Sequence, residues 1–372
     1  MTIRFRALAA VAAFATVVGA PAQAQEIPVA AILTLTGPTA FAGVPSNNGL
    51  RLAIEEANKS GFLGKARIKL IEGDYGGDKG QLISLANQAI KRDKVVLAFG
   101  PSTSVDAIAV APVFNDNKTP MFSVPTLNAI LDTGPWSFKF QQAQSVQLPL
   151  LGKYVIEKTP VRKVAIVYDR TNDGMIDAMK LFRDEYKAGG GAVTTEEAVV
   201  SNESNFVPLV TKIMAQDVDA IFFSTYAEQT ANLMVQLRQA GLPSKVRFFG
   251  SISLASPRLV AIAGKAAEGT VLISDYVAGV DRNKAFEAAY KARYSVEADP
   301  WAAVGYSMGQ VALRAIKDAG PNPDQQKVRD ALMKVRDVPV PVGNGLWNHN
   351  ERKPAYGVVM LQVKDGKFVP AP

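Results

Sequence analysis

Three consecutive hydroxyl side chains form the most promising functional cluster of this chain. Ser102, Thr103 and Ser104 stand between a buried-strand pattern over residues 95–99 and an apolar periodic segment that predicts a helix. Such residues are typical of helix starts, where the first backbone N–H groups lack intrahelical partners and the helix dipole favours negative charge. The cluster therefore predicts either a plain helix cap or a site that binds a small carboxylate or other anion without arginine or lysine.

Residues suited to catalysis are scarce. The chain has no cysteine and a single histidine, His349, in a polar stretch that we expect on the surface. A lone exposed histidine has no partner for a zinc site or a catalytic triad. Neither GxGxxG after the first strand nor GxxxxGK[ST] occurs, so no nucleotide cofactor is expected. The sequence predicts a binding protein without cofactor or metal. A secreted α/β enzyme is the competing class and would need a catalytic constellation at the strand ends.

Alternating strand and helix patterns position the hydroxyl cluster. One series runs from the apolar stretch at residues 28–35 to a strand at 120–124, and a second from a strand at 163–168 to one at 247–250. Strands that alternate with helices predict right-handed βαβ units and mostly parallel sheets. We therefore expect an α/β fold of two doubly wound, Rossmann-like lobes, with ligands beyond the carboxyl ends of the strands.

The N-terminus predicts export. Arg4 and Arg6 precede an apolar run over residues 7–20, and Ala22-Gln23-Ala24 fits a cleavage site, so residues 1–24 are interpreted as a secretory signal peptide. The formal net charge is +7, but lysine and arginine are scattered among acids without a basic stripe. This pattern is typical of a solvated surface and argues against a nucleic-acid partner.

The order and spacing of several motifs resemble those of the leucine/isoleucine/valine-type periplasmic solute-binding proteins of ABC importers. The motifs include LTLTGPTAFAG, AFGPSTS, TPMFSVPT, KVAIVYDRTNDG and WAAVGYSMGQVALRAI. The resemblance implies a type I periplasmic-binding-protein fold, in which three hinge crossings join two lobes that close on a small ligand. The implied crossings lie near Gln142, near Asp275 and Tyr276, and near residues 347–355. The implied first lobe combines residues 25–142 with 277–346, and the second combines 143–276 with 347–372.

The same resemblance implies a ligand site. Its carboxylate-binding loops correspond to Ser102, Thr103 and Ser104 and to the following strand end, which here is Val124, Pro125 and Thr126. Tyr226 matches an aromatic residue of the second lobe that closes over the ligand, although a packing role between elements is equally compatible. Phe41 stands in the first cleft loop, where it would line either the site or the core.

The chain departs from the family where amino-acid binders carry an acid for the ligand's α-ammonium group. The corresponding segment reads Gly250-Ser251-Ile252-Ser253, without an acid, and burying an unpaired ammonium costs several kcal/mol. Asp173 would either supply this acid from another direction or cap a helix. The ligand is therefore expected to be an amino acid or a related carboxylate or amide without the amine.

The resemblance also implies a partner and a location. We expect a periplasmic monomer that delivers its ligand to the permease subunits of an ABC importer in the inner membrane. A sensory protein of the same fold, which would present an aromatic or aliphatic carboxylate or an amide to a membrane receptor, is the alternative that the sequence leaves open.

Overall fold

The structure is a computed structural model that describes residues 25–201 and 203–372. The predicted signal peptide over residues 1–24 lies outside the described residues. Within the described ranges, no helix combines the length and the apolar character needed to cross a membrane.

A five-stranded parallel sheet, with strand order β2-β1-β3-β4-β5, organises the first lobe. Both of its faces are covered by helices, as expected for strands that are apolar along their whole length. Its elements are β1 (Glu26–Leu33), α1 (Ala40–Ser60), β2 (Arg67–Asp74), α2 (Lys79–Asn87), β3 (Leu97–Phe99), α3 (Ser104–Asp116), β4 (Met121–Ser123), α4 (Ala129–Asp132) and β5 (Ser137–Lys139).

A seven-stranded sheet, with strand order β15-β14-β10-β9-β8-β6-β7, organises the second lobe. Strands β6 to β10 are parallel, whereas β14 and β15 are antiparallel additions at one edge. The chain reaches this lobe through α5 (Gln144–Lys158), β6 (Lys163–Asp169), α6 (Asp173–Ala188), β7 (Ala192–Val199), α7 (Val207–Met214), β8 (Ala220–Ser224), α8 (Ala227–Gln239), β9 (Arg247–Gly250), α9 (Pro257–Ala263) and β10 (Val271–Ser274).

The chain then returns to the first lobe before it ends in the second. Helices α10 (Lys284–Tyr294), α11 (Pro300–Asp318) and α12 (Gln325–Leu332) contribute to the core that covers one face of the first sheet. A small antiparallel sheet follows, built from β11 (Val338–Pro339), β12 (Leu346–Asn350) and β13 (Lys353–Ala355). The last strands, β14 (Val359–Lys364) and β15 (Lys367–Pro370), join the second sheet.

The third crossing lies later than the boundary predicted between residues 346 and 347. Trp347 is part of the first lobe's core, where its ring stacks on Phe140 with centroids 5.9 Å apart. Its Nε1 donates to the carbonyl oxygen of Phe140 at 3.1 Å. The chain therefore leaves the first lobe only after β13, through residues 356–358. A tryptophan in a polar stretch does not signal which core will bury it, so the boundary that the resemblance implied lies too early.

His349 also differs from its predicted surface position. It is 4% exposed within β12, where its Nδ1 accepts from the backbone N–H of Arg352 at 3.1 Å and its Nε2 lies 2.9 Å from the carbonyl oxygen of Leu332. Burial lowers the pKa of His349 to about 4. The neutral ring therefore donates from Nε2, and its role is to tie β12 to the end of α12.

Helices α1 and α11 pack closely enough to bring two aromatic residues together at the cleft. A Cβ atom at Gly305 would lie 1.8 Å from the carbonyl oxygen of Ser46, so only glycine permits this approach. The amphipathic pattern of the sequence predicts this helix over residues 48–59. In the structure α1 begins at Ala40, eight residues earlier, and includes Pro45 in its second turn. The added turns contain the cleft residue Phe41 and place it near the start of α11.

Candidate ligand-binding site

A cavity of about 70 Å³ lies between the lobes, at the carboxyl ends of the parallel strands. In each sheet the winding reverses between two neighbouring strands, β1 and β3 in the first and β6 and β8 in the second. The loops after these four strands contribute Thr39, Ser102, Asn172 and Tyr226 to the lining. An ordered water molecule needs about 10–15 Å³, so the cavity has room for a small molecule rather than for a single solvent molecule.

The hydroxyl loop of the first lobe is held by its own hydrogen bonds. Thr103 caps α3 by accepting from the backbone N–H of Asp106, and its Oγ1 lies 2.6 Å from Asp106 Oδ2. Asp106 is buried and also accepts from the Tyr75 hydroxyl at 2.8 Å. Ser102 Oγ accepts from the Thr34 hydroxyl at 3.0 Å. The cap and the predicted anion site are therefore compatible, because the first N–H groups of α3 still face the cavity end of the helix.

The neighbouring loop places Thr126 against the cavity. Gln144 Nε2 donates to Thr126 Oγ1 at 2.7 Å, and Lys139 Nζ donates to the carbonyl oxygen of Thr126 and to Asn128 Oδ1. Lys139 is 1% exposed, and its burial lowers the pKa of the ammonium group to about 7. Thr126 is thus fixed from both sides, by an amide in the lining and by a buried amine behind it.

The second lobe contributes a phenol, an amide and two hydroxyls. Asn172 caps α6 by accepting from the N–H of Gly174 and donates through Nδ2 to the Tyr226 hydroxyl at 2.7 Å. Burial raises the pKa of Tyr226, so the phenol stays protonated. Ser251 and Ser253 share a hydrogen bond of 2.6 Å, and Ser253 donates to the carbonyl oxygen of Thr225.

Side chains of the two lobes touch around the cavity. Phe41 of the first lobe meets Tyr226 of the second edge-on, with ring centroids 5.9 Å apart, and it also meets Trp301 at 6.2 Å. A Cβ atom at Gly174 would lie 3.1 Å from Ser104 Oγ, so the start of α6 approaches the start of α3 closely. The structure therefore has the lobes in contact across the cleft.

Among the described residues, the cavity lining mixes apolar and polar side chains and contains no aspartate, glutamate, histidine, lysine or arginine. Its polar groups are hydroxyls, the amides of Asn172, Gln141 and Gln144, and the indole of Trp301. Two buried atoms of this lining have no hydrogen-bond partner among the described residues, Gln144 Oε1 and Trp301 Nε1. Buried polar atoms are nearly always paired, so this acceptor and this donor suit a bound molecule. Elsewhere in the described ranges, no group of three potential metal ligands comes together.

The cavity brings together eight of the ten side chains that the sequence singled out. These are Phe41, Ser102, Thr103, Ser104, Pro125, Thr126, Tyr226 and Ile252. Val124 is instead 2% exposed in the core of the first lobe. It directly follows β4 and continues the alternation that also turns Phe122 into this core. Asp173 is exposed at the first position of α6 and does not line the cavity. The capping role predicted for Asp173 is wrong, since the neighbouring Asn172 makes the cap, and its ligand role stays a prediction.

Sequence reasoning missed several lining residues. Asn172 was overlooked in favour of the charged residue beside it, although asparagine is as good a helix cap as aspartate. Gln141 and Gln144 flank the first crossing, where nothing in the local pattern marks a ligand contact. Trp301 stands about 260 residues from Phe41 in sequence, and only the packing of α11 against α1 brings the two together.

The three crossings meet at one buried carboxyl group. Asp275 Oδ2 in the second crossing accepts from the Tyr356 hydroxyl of the third at 3.0 Å and lies 3.3 Å from Gln141 Nε2 of the first. The Tyr356 hydroxyl also accepts from the backbone N–H of Gln142 at 3.2 Å. Burial raises the pKa of Asp275 to about 6. Because Gln141 lines the cavity, this cluster connects the hinge directly to the site.

The family follows from comparison with known proteins. A family model described as "Periplasmic binding protein" matches residues 26–367. The chain belongs to the periplasmic binding protein family. The predicted resemblance is thereby confirmed, and the match runs through both lobes and all three crossings.

Relatives and structural neighbours agree with this assignment. The Leu/Ile/Val-binding protein BraC3 of Rhizobium johnstonii is 28% identical over 360 residues, which cover 95% of each chain. The leucine-binding protein LivK of Thermotoga maritima superimposes with a TM-score of 0.85 at 24% identity, over 93% of this chain and 98% of its own. A solute-binding protein from Rhodopseudomonas palustris, solved in complex with 3,4-dihydroxy benzoic acid, gives 0.83 at 24% identity, over 92% and 95%. The predicted α/β fold of two lobes is confirmed.

Proposed function

We propose that this protein is an extracytoplasmic solute-binding protein, which captures a small carboxylate between its lobes and delivers it to an ABC-type permease. The cavity at the two points where the sheets reverse their winding carries this proposal. It is lined from both lobes, so a ligand gains contacts on closure that it lacks in an open form. That difference in affinity is what drives closure.

The carboxylate belongs, in this proposal, at the start of α3. Helix N–H groups and the hydroxyls of Ser102 and Ser104 supply donors there, and the helix dipole favours an anion. The Thr103 hydroxyl, whose hydrogen is given to Asp106, holds the start of the helix in place. Tyr226 and Phe41 cover the ligand's other side, while Pro125, Thr126 and Ile252 complete the wall. Val124 and Asp173 are not part of the proposed site.

Relatives named as binders of leucine, isoleucine and valine support an amino acid, whereas the cavity lining offers no acid for an ammonium group. A neighbour solved with an aromatic acid shows that the fold also accommodates amine-free carboxylates. The proposed ligand class is therefore a small carboxylate, with or without an amine. The proposed location is the periplasm after removal of residues 1–24, and the proposed state is a monomer.

The test is a binding screen of residues 25–372 after one cycle of unfolding and refolding, which removes carried-over ligand. The panel holds branched and polar amino acids, their amides, and aromatic and aliphatic carboxylates without the amine. A ligand at a hundred times its dissociation constant stabilises the fold by about 2.7 kcal/mol, which a melting curve detects. If no member shifts the melting temperature or gives heat in calorimetry, the proposed function fails.

A double variant locates the site. Ser102→Ala with Thr103→Ala is expected to weaken binding while the protein still folds, because the Ser102 donor and the Thr103 cap that orients the start of α3 are both lost. Ser256→Ala is the matched control, since Ser256 caps α9 outside the cavity lining and its loss costs a similar cap energy. Unchanged affinity in the double variant would remove the hydroxyl loop from the site.

A further inference from the structure

Gln144 is a buried amide in the cavity lining that is satisfied only on one side. It stands at the first position of α5, directly after the first crossing, and is 9% exposed. Its Nε2 donates to Thr126 Oγ1 at 2.7 Å. Its Oε1 has no partner among the described residues. Leaving such an oxygen unpaired is costly, and a ligand donor would remove that cost.

Donors are plentiful in this cavity. The start of α3, the hydroxyls and Trp301 Nε1 all offer hydrogens, which suits the oxygens of a carboxylate. Among the side-chain acceptors of the described lining, Gln144 Oε1 is the one that is both fully buried and without a partner. A ligand that fits this cavity therefore has a carboxylate at one end, whose oxygens accept hydrogen bonds from these donors. At its other end it donates one hydrogen bond to Gln144.

That hydrogen fits a neutral group better than an ammonium. No aspartate or glutamate lines the described cavity. The nearest acid of the hydroxyl loop, Asp106, is already bonded to Tyr75 and Thr103. An ammonium would be desolvated against neutral oxygens only, and burying a charge without a counter-ion is costly. A hydroxyl gives its one hydrogen to Gln144 without this penalty.

We propose that Gln144 determines specificity by accepting a hydrogen bond from a hydroxyl group of the ligand, so that the preferred solute is a hydroxylated carboxylate rather than an amino acid. This inference rests on the proposed function and names its substrate class. Thr126 positions Gln144, because its Oγ1 holds the Nε2 end of the amide and leaves the oxygen free.

Matched ligand pairs test the proposal by titration calorimetry. One set is leucine, its 2-hydroxy analogue (2-hydroxy-4-methylpentanoate) and 4-methylpentanoate, and the other is 4-hydroxybenzoate and benzoate. In at least one set the hydroxylated acid is expected to bind about tenfold more tightly than the acid without the hydroxyl, the size expected of one buried hydrogen bond. Leucine is expected to bind more weakly than its hydroxy analogue.

Three variants separate Gln144 from general damage. Gln144→Leu removes the acceptor and is expected to bring the hydroxyl preference to about one, because only the hydroxylated acid loses a contact. Gln144→Glu supplies the missing acid and is expected to reverse the order of leucine and its hydroxy analogue. Gln147→Leu is the control: Gln147 is on the same helix, fully buried and also has an unpartnered Oε1, but does not line the cavity.

The outcomes are distinct. If carboxylates bind but Gln144→Leu leaves the hydroxyl preference unchanged, or if leucine is the tighter ligand of the wild type, the inference is wrong and the proposed function stands. If no carboxylate binds the wild type, the proposed function fails. Should Gln144→Leu not fold, the Gln144→Glu reversal still decides, since glutamate keeps the size of the side chain and accepts a hydrogen bond from the Thr126 hydroxyl in place of the one that Nε2 donates.

Discussion

The ammonium group of Lys139 donates a hydrogen bond to the backbone carbonyl oxygen of Thr126, so a buried amine lies directly behind a residue of the cavity wall. Its two hydrogen-bond partners, Thr126 and Asn128, are neutral. Burial lowers the pKa of Lys139 to about 7, and only the half-buried Asp177 raises it again from a distance. An anionic ligand in the cavity would supply the negative charge that this lysine lacks.

The first prediction concerns the pH dependence of binding. Above pH 7 Lys139 loses its proton in the free protein, whereas a bound carboxylate favours the charged form. Affinity for a carboxylate is therefore expected to fall above pH 7, by at most about tenfold per pH unit. Calorimetric titrations between pH 6 and 9 measure the slope, and Lys139→Met should flatten it. The same slope in both proteins would contradict a role for Lys139.

The second prediction contrasts two adjacent residues at the start of α6. Asn172→Leu is expected to weaken ligand binding, since it removes the bond to the Tyr226 hydroxyl and the cap of α6; loss of the cap alone costs about 1 kcal/mol of stability. Asp173→Asn should leave affinity unchanged, because Asp173 is exposed and outside the lining. A large loss with Asp173→Asn would instead point to an ammonium-bearing ligand.

The third prediction concerns lobe closure. Gly174→Leu places a side chain where Ser104 Oγ lies 3.1 Å from a Cβ atom, so the lobes are expected to stay further apart. Affinity should fall about tenfold for each 1.4 kcal/mol by which closure is disfavoured. Small-angle scattering with saturating ligand should show a larger radius of gyration. Lys180→Leu, an exposed change on the same helix, is the control and should match the wild type in both measurements.

The fourth prediction concerns the hinge carboxyl. Burial raises the pKa of Asp275 from 3.8 to about 6, so between these values the folded protein holds a proton that the unfolded chain has released. The contribution of Asp275 to the free energy of unfolding is therefore full below pH 3.8 and is lost as pH rises through 6, by about 3 kcal/mol. Urea unfolding at several pH values measures it. Asp275→Asn keeps the hydrogen bond from Tyr356 but has no titrating group at this position. The pH-dependent contribution of Asp275 is therefore the difference between the unfolding free energies of the wild type and this variant at each pH. Parallel stability curves for the two would refute it.

Much of the fold follows from the sequence because it depends on local periodicity. Strands β6 (Lys163–Asp169) and β9 (Arg247–Gly250), for example, lie close to their predicted ranges of 163–168 and 247–250. The start of α1 did not follow from the sequence, because Pro45 is tolerated inside that helix. The small third sheet did not either, since its strands have two to five residues and too few alternations to recognise.

The residues of the candidate site were likewise only partly predictable from the sequence. Hydroxyl residues ahead of a helix can be recognised in the sequence, because helix capping requires particular residue types. This pattern predicted Ser102, Thr103 and Ser104. Gln144 and Trp301 cannot be recognised as site residues from the sequence. Each is distinguished by a buried polar atom without a hydrogen-bond partner, and distant parts of the chain decide whether such an atom finds a partner. His349 was misplaced for a related reason, since its burial depends on contacts with the end of α12 and with Arg352.

The contact between Phe41 and Tyr226 has a kinetic consequence. Each ring belongs to a different lobe, so a ligand enclosed beneath them departs only after the hinge has swung open. Dissociation would then be limited by opening of the lobes, and the contacts that a ligand makes with both of them slow that opening. Two solutes of unequal affinity would therefore differ in how long they stay enclosed, and a partner protein that separates the lobes would shorten that time for both.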